Sequence, residues 1–358
     1  MRRVLVVLGM VLALVGSTVA GGALPAGRAD AASELVAART AVFGATNVDQ
    51  ATGAVRADRV LFSWFGVANF AVAMGGQVFL VDAWVPNVYP RHVPTTPAQL
   101  AALKPSHIFI GHAHFDHAAD AVDIARASGA RLVGSAEHCG FFRGQDAALR
   151  CDVVSAAGAR PASTTTYRGL PGIEVTALRH LHSQIKAPTG ALPPLLPLPP
   201  SDKLLTDPPG PAELARLAPH LNDPEGGSMA YKFTVGGTSV LWHDSVGPVS
   251  HDPAGPAILA ALRRLGPVDL HVGAIQGFNE IANGLHDAMA YIDAVGATVF
   301  VPSHHDDWFP VLATPATGRE AAFFAALKTI DHSPQVRYLR DPADYLNPDR
   351  VSIPVNRP

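Results

Sequence analysis

The chain has 358 residues, 48% of them hydrophobic, and Lys+Arg 27 against Asp+Glu 30 leaves a formal charge of -3. That is ample apolar sequence for a substantial core, in one large domain or two, and it excludes a disordered chain. No summed positive field exists to draw it to nucleic acid or to an anionic membrane, so its partners must be argued from local sites.

At the N-terminus, Arg2 and Arg3 precede an apolar run from Val4 to about Ala20, followed by small residues and Pro25, the pattern of a secretory signal peptide. Residues 1–31 are therefore expected to be removed, with cleavage after Ala31 favoured over cleavage after Ala20. The mature protein is expected to be secreted or held in the cell envelope, without a stable membrane span; an uncleaved anchor is the alternative. Residues 32–55 form a lead-in, and 56–358 read as one domain.

RVLFSW (59–64), NFAVAM (69–74) and QVFLVD (77–82) read as strands, the last two joined by Gly75-Gly76, a two-residue hairpin signal. TTPAQLAAL starts a helix with Thr96 as cap and Pro97 in the first turn. HIFI is a strand, DHAADAVDIARASG a helix ending at Gly129, and RLVGS a further strand. Cys139 and Cys151 are the two cysteines; in an exported chain they form either a disulfide or a pair of buried thiols, and neither lies in a CxxC.

Residues 187–222 break the pattern. Their prolines remove backbone donors and fix φ, so the stretch cannot be a regular core element, and it reads as an insertion: a lid over a site, or an ordered surface excursion. Beyond it MAYKFTV and TSVLWHD flank Gly236-Gly237, so two GG hairpins each deliver an aspartate, Asp82 and Asp244, at the end of the outgoing strand. Two similar halves packed together would give that repeat. VDLHVGA and ATVFVPS are strands around a helix at about 284–294, and GREAAFFAALKTI is a helix. The class is α/β, with mixed sheets covered by helices.

One turn is crowded with titratable groups: SHIFIGHAHFDHAAD places His112, His114, Asp116 and His117 within six residues. Residues i and i+2 at a strand end point the same way, so His112 and His114 aim two imidazoles at one point, while Asp116 and His117 fall where the helix begins and face a second cation. A metal site predicts further ligands at later strand ends. EVTALRHLHSQ offers His180 or His182, SVLWHDSVG offers His243 and Asp244, and VFVPSHHDDW offers His304 or His305.

HAHFDH resembles the HxHxDH signature of the metallo-β-lactamase superfamily, with the later His, Asp and His in that family's order. VDAW and VPSHHDD look closest to the branch that contains ascorbate-phosphate lactonases and the phospholipase D acting on N-acyl phosphatidylethanolamines. The resemblance covers roughly 56–308 and implies a four-layer αββα sandwich with metals at one edge between the sheets. It implies that His112, His114 and His182 bind one metal, that Asp116, His117 and His304 bind the other, and that Asp244 bridges them. His182 is preferred to His180, and His304 to His305. Asp82 would support the metal loop from behind. His243 departs from the family, which commonly has glycine there, and reads as a packing residue.

The expected cofactors are two divalent metal ions, zinc by default from the imidazole-rich set, with manganese or iron also compatible. The expected activity is hydrolysis of an ester, lactone or phosphodiester by a metal-bridging hydroxide, with Asp116 orienting the nucleophile and His305 assisting the leaving group. A non-catalytic metal-containing binding protein on the same fold is the alternative. The apolar insertion and Trp64, Phe65, Trp84 and Trp308 lean toward a small-molecule or lipid-like substrate. His138, His220, His251, His271, His286 and His332 are read as structural.

Overall fold

A computed structural model describes residues 31–86, 93–184, 210–308 and 314–356. The signal-peptide reading lies outside these residues, as does most of the proline-rich insertion. No helix among the described residues is long and apolar enough to cross a membrane.

Two seven-stranded sheets pack face to face. In strand order, the first is β14-β1-β2-β3-β4-β5-β6 and the second β13-β12-β11-β10-β9-β8-β7. The first takes β1 (Arg59–Trp64), β2 (Phe70–Met74), β3 (Gln77–Val81), β4 (His107–Phe109), β5 (Arg131–Ser135) and β6 (Cys151–Ser155), closed by β14 (Ser352–Pro354). The second takes β7 (Thr164–Tyr167), β8 (Glu174–Arg179), β9 (Met229–Val235), β10 (Thr238–His243), β11 (Leu270–Ala274), β12 (Val299–Ser303) and β13 (Gln335–Val336). In each, an antiparallel hairpin is followed by parallel strands: β2–β3 then β4, and β9–β10 then β11. This is the repeat that the two GG turns suggested. Gly75 and Gly76 have φ 56° and 78°, the left-handed pair that a two-residue hairpin demands.

Side-chain alternation fixes the layers. On β2, Phe70, Val72 and Met74 enter the core between the sheets, whereas Ala71 and Ala73 face the outer layer that holds Phe43, Leu100 and Ile124. On β10, Val240 and Trp242 face the shared core and Leu241 the opposite outer layer, with Ile258, Leu262 and Ile292. The outer layer on the first sheet comes from α1 (Ala31–Phe43), α2 (Pro97–Ala102), α3 (Phe115–Ala118), α4 (Ala121–Ser128) and α5 (Ala136–Gln145). The insertion contributes α6 (Pro211–Leu217), and after it come α7 (Gly255–Leu265), α8 (Glu280–Asn283), α9 (His286–Val295) and α10 (Ala316–Leu327). The architecture is the four-layer αββα sandwich.

Three local expectations are corrected. The single helix expected after His114 is two, α3 and α4, because the Asp120 carboxylate accepts from Val85 N–H at the break while its backbone N–H donates to Ala83. The insertion is not wholly irregular: α6 begins at Pro211, a position where the missing N–H costs nothing. Strand β14 was not read at all; it returns from the far end of the chain to pair with β1, Val60 opposite Ile353. Cys139 on α5 and Cys151 on β6 form a disulfide, which settles the choice left open between a bond and free thiols.

Candidate metal centre

The C-terminal ends of β3, β4, β8, β10 and β12 gather at one edge of the sandwich and deliver Asp82, His112 to His117, His182, Asp244 and His304 to one place. Gly111 is the close-approach residue. A Cβ there would lie 2.1 Å from the Asp244 carboxyl carbon, so only glycine lets that carboxylate reach the turn.

The ligand atoms of His112, His114 and His182 form one group within 4.8 Å of one another, and those of His112, Asp116 and His117 form another. His112 Nε2 and His182 Nε2 lie 3.1 Å apart. Two imidazole nitrogens on one tetrahedral zinc would be separated by about 3.4 Å, given Zn–N bonds near 2.1 Å, so the pair is spaced for a shared ion. On the other side, Asp116 Oδ2 is 3.3 Å from His117 Nε2 and 3.4 Å from His304 Nε2. Asp244 sits between the groups, 2.7 Å from His112 Nδ1 and 3.4 Å from His117 Nδ1.

Asp82 also falls within ligand range of His117 and Asp244, but both of its oxygens are occupied. Oδ1 accepts from Gly111 N–H at 2.9 Å and Oδ2 takes His117 Nδ1 at 2.7 Å. A carboxylate that holds an imidazole by Nδ1 and leaves Nε2 for a metal is a supporting group. Asp82 and His304 both adopt positive φ, 54° and 55°, non-glycine strain of the kind that collects at functional sites.

The electrostatics match a cation site. Burial alone would lower the His117 pKa, but Asp116, Asp82 and Asp244 around it hold it well above the ordinary value. Burial pushes the Asp244 and Asp116 carboxyls up; imidazoles override it, His112 and His117 at Asp244, His117 and His304 at Asp116, leaving both below the usual range. Asp82, buried beside Asp244, is pushed well above. His112 and His182 are driven down by burial first, His182 to about 3, and a neutral imidazole is the form that ligates. On the candidate ligands, the buried His117 Nε2, Asp244 Oδ1 and His304 Nδ1 have no hydrogen-bond partner. The donor set fits divalent ions, with the carboxylates supplying the charge that is otherwise drawn onto His117.

Of the paired alternatives, His180 is turned away to Tyr291, its Nδ1 3.1 Å from the hydroxyl, whereas His182 reaches His112. His305 does not reach the cavity. Its Nε2–H donates to the Leu339 carbonyl at 2.9 Å and its ring stacks on Trp64, so the role of assisting a leaving group is withdrawn from it. His243 is buried, with Nδ1 2.9 Å from the Ser245 carbonyl, and belongs to none of the candidate ligand groups among the described residues. His138 is structural: it accepts Ser135 N–H at Nδ1 and donates from Nε2 to the Glu225 carbonyl, which also holds Ala113 N–H of the histidine turn.

The ligands floor a cavity of about 360 Å³. Phe115 and Trp308 line its wall, and Leu221, Phe278 and Ile281, among the most exposed large apolar residues, line it as well. Trp64 and Phe65 are core residues instead. His220 was passed over in the sequence, yet it and Asp223 also line the cavity, brought there by the C-terminal part of the insertion. The local signal was the spacing HLND, an imidazole and a carboxylate three residues apart.

Comparison with known proteins is consistent with this geometry. Residues 64–202 match the model of the Metallo-beta-lactamase superfamily. A UPF0173 metal-dependent hydrolase of Pyrobaculum neutrophilum is 46% identical over 74 residues, 21% of this chain and 32% of that protein. Another, of Polynucleobacter asymbioticus, is 31% identical over 160 residues, 42% of this chain and 50% of that protein. The chain thus spans a third to a half of the length of these curated relatives. Among solved structures, Igni18, a metallo hydrolase from Ignicoccus hospitalis, shares the fold with a TM-score of 0.51 over 78% of this chain and 95% of that one, at 17% identity.

Proposed function

We propose, from the match of residues 64–202 to the Metallo-beta-lactamase superfamily model and from the geometry of the site, that the chain is an exported, binuclear metal-dependent hydrolase of an ester, lactone or phosphodiester with a hydrophobic part. The observation that carries the reading is the pair of opposed ligand groups on one cavity floor. His112, His114 and His182 stand on one side, Asp116, His117 and His304 on the other, with Asp244 between. Zinc is the metal this imidazole-rich set favours. Two divalent ions would supply Lewis acidity and bring the pKa of water near neutrality.

The side chains divide the remaining work. Asp116, kept ionised by His117 and His304, is placed to accept a hydrogen bond from the attacking water and orient it. Asp82 holds His117 in the tautomer that leaves Nε2 free. Phe115, Trp308, Leu221, Phe278 and Ile281 offer an apolar lining for an acyl or lipid-like part. The Cys139–Cys151 disulfide supports the export part of the reading, because such bonds persist in oxidising compartments.

Elemental analysis of purified protein tests the centre, with two equivalents of divalent metal expected and less than one overturning it. A panel of esters, lactones and phosphodiesters of graded chain length on the metal-loaded protein tests the chemistry. Ligand binding without turnover across that panel would make the chain a binding protein instead.

A further inference from the structure

We propose that His220, oriented by Asp223, is the general acid that protonates the leaving group in the reaction catalysed at this cavity. The inference rests on the hydrolase reading above and adds a component that the metal ligands do not provide. Splitting an ester or phosphodiester with an alkoxide leaving group needs a proton donor beside the departing oxygen, and groups committed to metals cannot serve.

The cavity lining narrows the candidates. Among the described residues its other titratable side chains are His220, Asp223, Glu280 and Arg319. Arg319 is bound to Glu280 in a buried ion pair, and a guanidinium does not release its proton in proteins. His220 and Asp223 form a closed unit. His220 Nδ1 lies 2.8 Å from Asp223 Oδ2, while Asp223 N–H donates to the His220 carbonyl at 3.1 Å. A carboxylate accepts only, so Nδ1 carries the hydrogen and Nε2 is the nitrogen left for chemistry. The Asp223 side chain is 9% exposed and the imidazole 25% exposed, an anchored carboxylate behind a ring that still meets solvent and substrate. This is the base-and-orienter arrangement of hydrolytic triads, here beside a metal centre.

The unit is also held in place. It follows α6, whose Leu217 packs with Val67, Trp84 and Trp308 and whose Arg216 pairs with the buried Asp120. Asp120 in turn fixes Val85 next to the histidine turn, so the insertion's end and the metal turn share one support.

In the step itself, the bond between the acyl carbon or phosphorus and the leaving oxygen breaks with its electron pair passing to oxygen, and the Nε2 proton of imidazolium His220 passes to that oxygen. Water contributes hydroxyl to the acyl or phosphoryl product, and its remaining proton returns through solvent to His220. Nothing is oxidised or reduced.

Leaving-group dependence tests it. The wild type, His220→Gln and Asp223→Asn are compared on matched para-nitrophenyl and alkyl derivatives, as carboxylic esters and as phosphodiesters, with metal content measured on each. Para-nitrophenolate leaves without a proton; an alkoxide does not. For His220→Gln, kcat on the alkyl derivative should fall by about 100-fold or more, while the para-nitrophenyl derivative changes by less than about 3-fold. Metal content should stay at the wild-type level, and Asp223→Asn should show the same selective loss in smaller measure. Equal losses on both leaving groups, or loss of metal, would overturn the assignment and make the pair structural. A wild type that turns over neither derivative, and no lactone of the wider panel, would instead remove the hydrolase reading, and this assignment with it.

Discussion

At the scale of single residues, the centre depends on two positions that touch no substrate. Asp82 fixes His117 through Nδ1 while accepting Gly111 N–H, so Asp82→Asn should weaken metal binding by about 10- to 100-fold without unfolding the protein. Competition with a chromogenic chelator measures this. Unchanged affinity would mean that His117 is positioned by packing alone. Gly111→Ala tests the close approach: its Cβ would overlap the Asp244 carboxyl, so the carboxylate must swing out. Less than one equivalent of bound metal with a native circular dichroism spectrum is the expected result. These residues also mark what the sequence discloses. His112 to His117 were legible because strand alternation and a helix start dictate where their side chains point. The choice between adjacent His304 and His305 depends on a positive φ at His304, which sends the two rings to opposite surroundings and leaves no trace in composition.

At the scale of elements, hairpins and parallel strands were readable from glycine pairs and apolar runs, whereas elements held by partners far along the chain were not. Strand β14 is three residues long and exists because β1 offers it an edge; α6 lies in a stretch whose prolines argue against regular structure. His220 was missed for the same reason, since only the folded insertion brings it over the cavity. The α5–β6 connection carries a prediction. Cys139 and Cys151 are separated by 12 residues, and closing such a loop stabilises by about 3 kcal/mol through the unfolded chain. Replacing both by serine should therefore lower stability in urea by about 2 to 3 kcal/mol. Metal content should be retained, because neither sulfur is a ligand. A loss of metal along with stability would show that α5, which carries His138 to the Glu225 loop, transmits the damage to the histidine turn.

At the scale of the whole molecule, the two sheets enclose imidazoles that fold as neutral groups. Burial lowers His138 and His305 to about 4 and drives His271 well below its usual value, and neither ring nitrogen of His271 has a hydrogen-bond partner. Each has a folded pKa beneath the unfolded value near 6.5. Its contribution is therefore complete above about pH 6.5 and is lost as the pH falls toward the folded value, because the unfolded chain takes up a proton that the native state refuses. Asp306 acts in the opposite sense: burial raises its carboxyl to about 7, so the native state binds a proton between there and the ordinary carboxylate range. His271→Phe isolates the effect, since the ring already packs edge-on against Phe300 and phenylalanine can take its place. Relative to wild type, the variant should gain up to about 1.4 kcal/mol for each pH unit below 6.5. Parallel stability profiles for the two proteins would show that His271 takes up its proton in the native state after all.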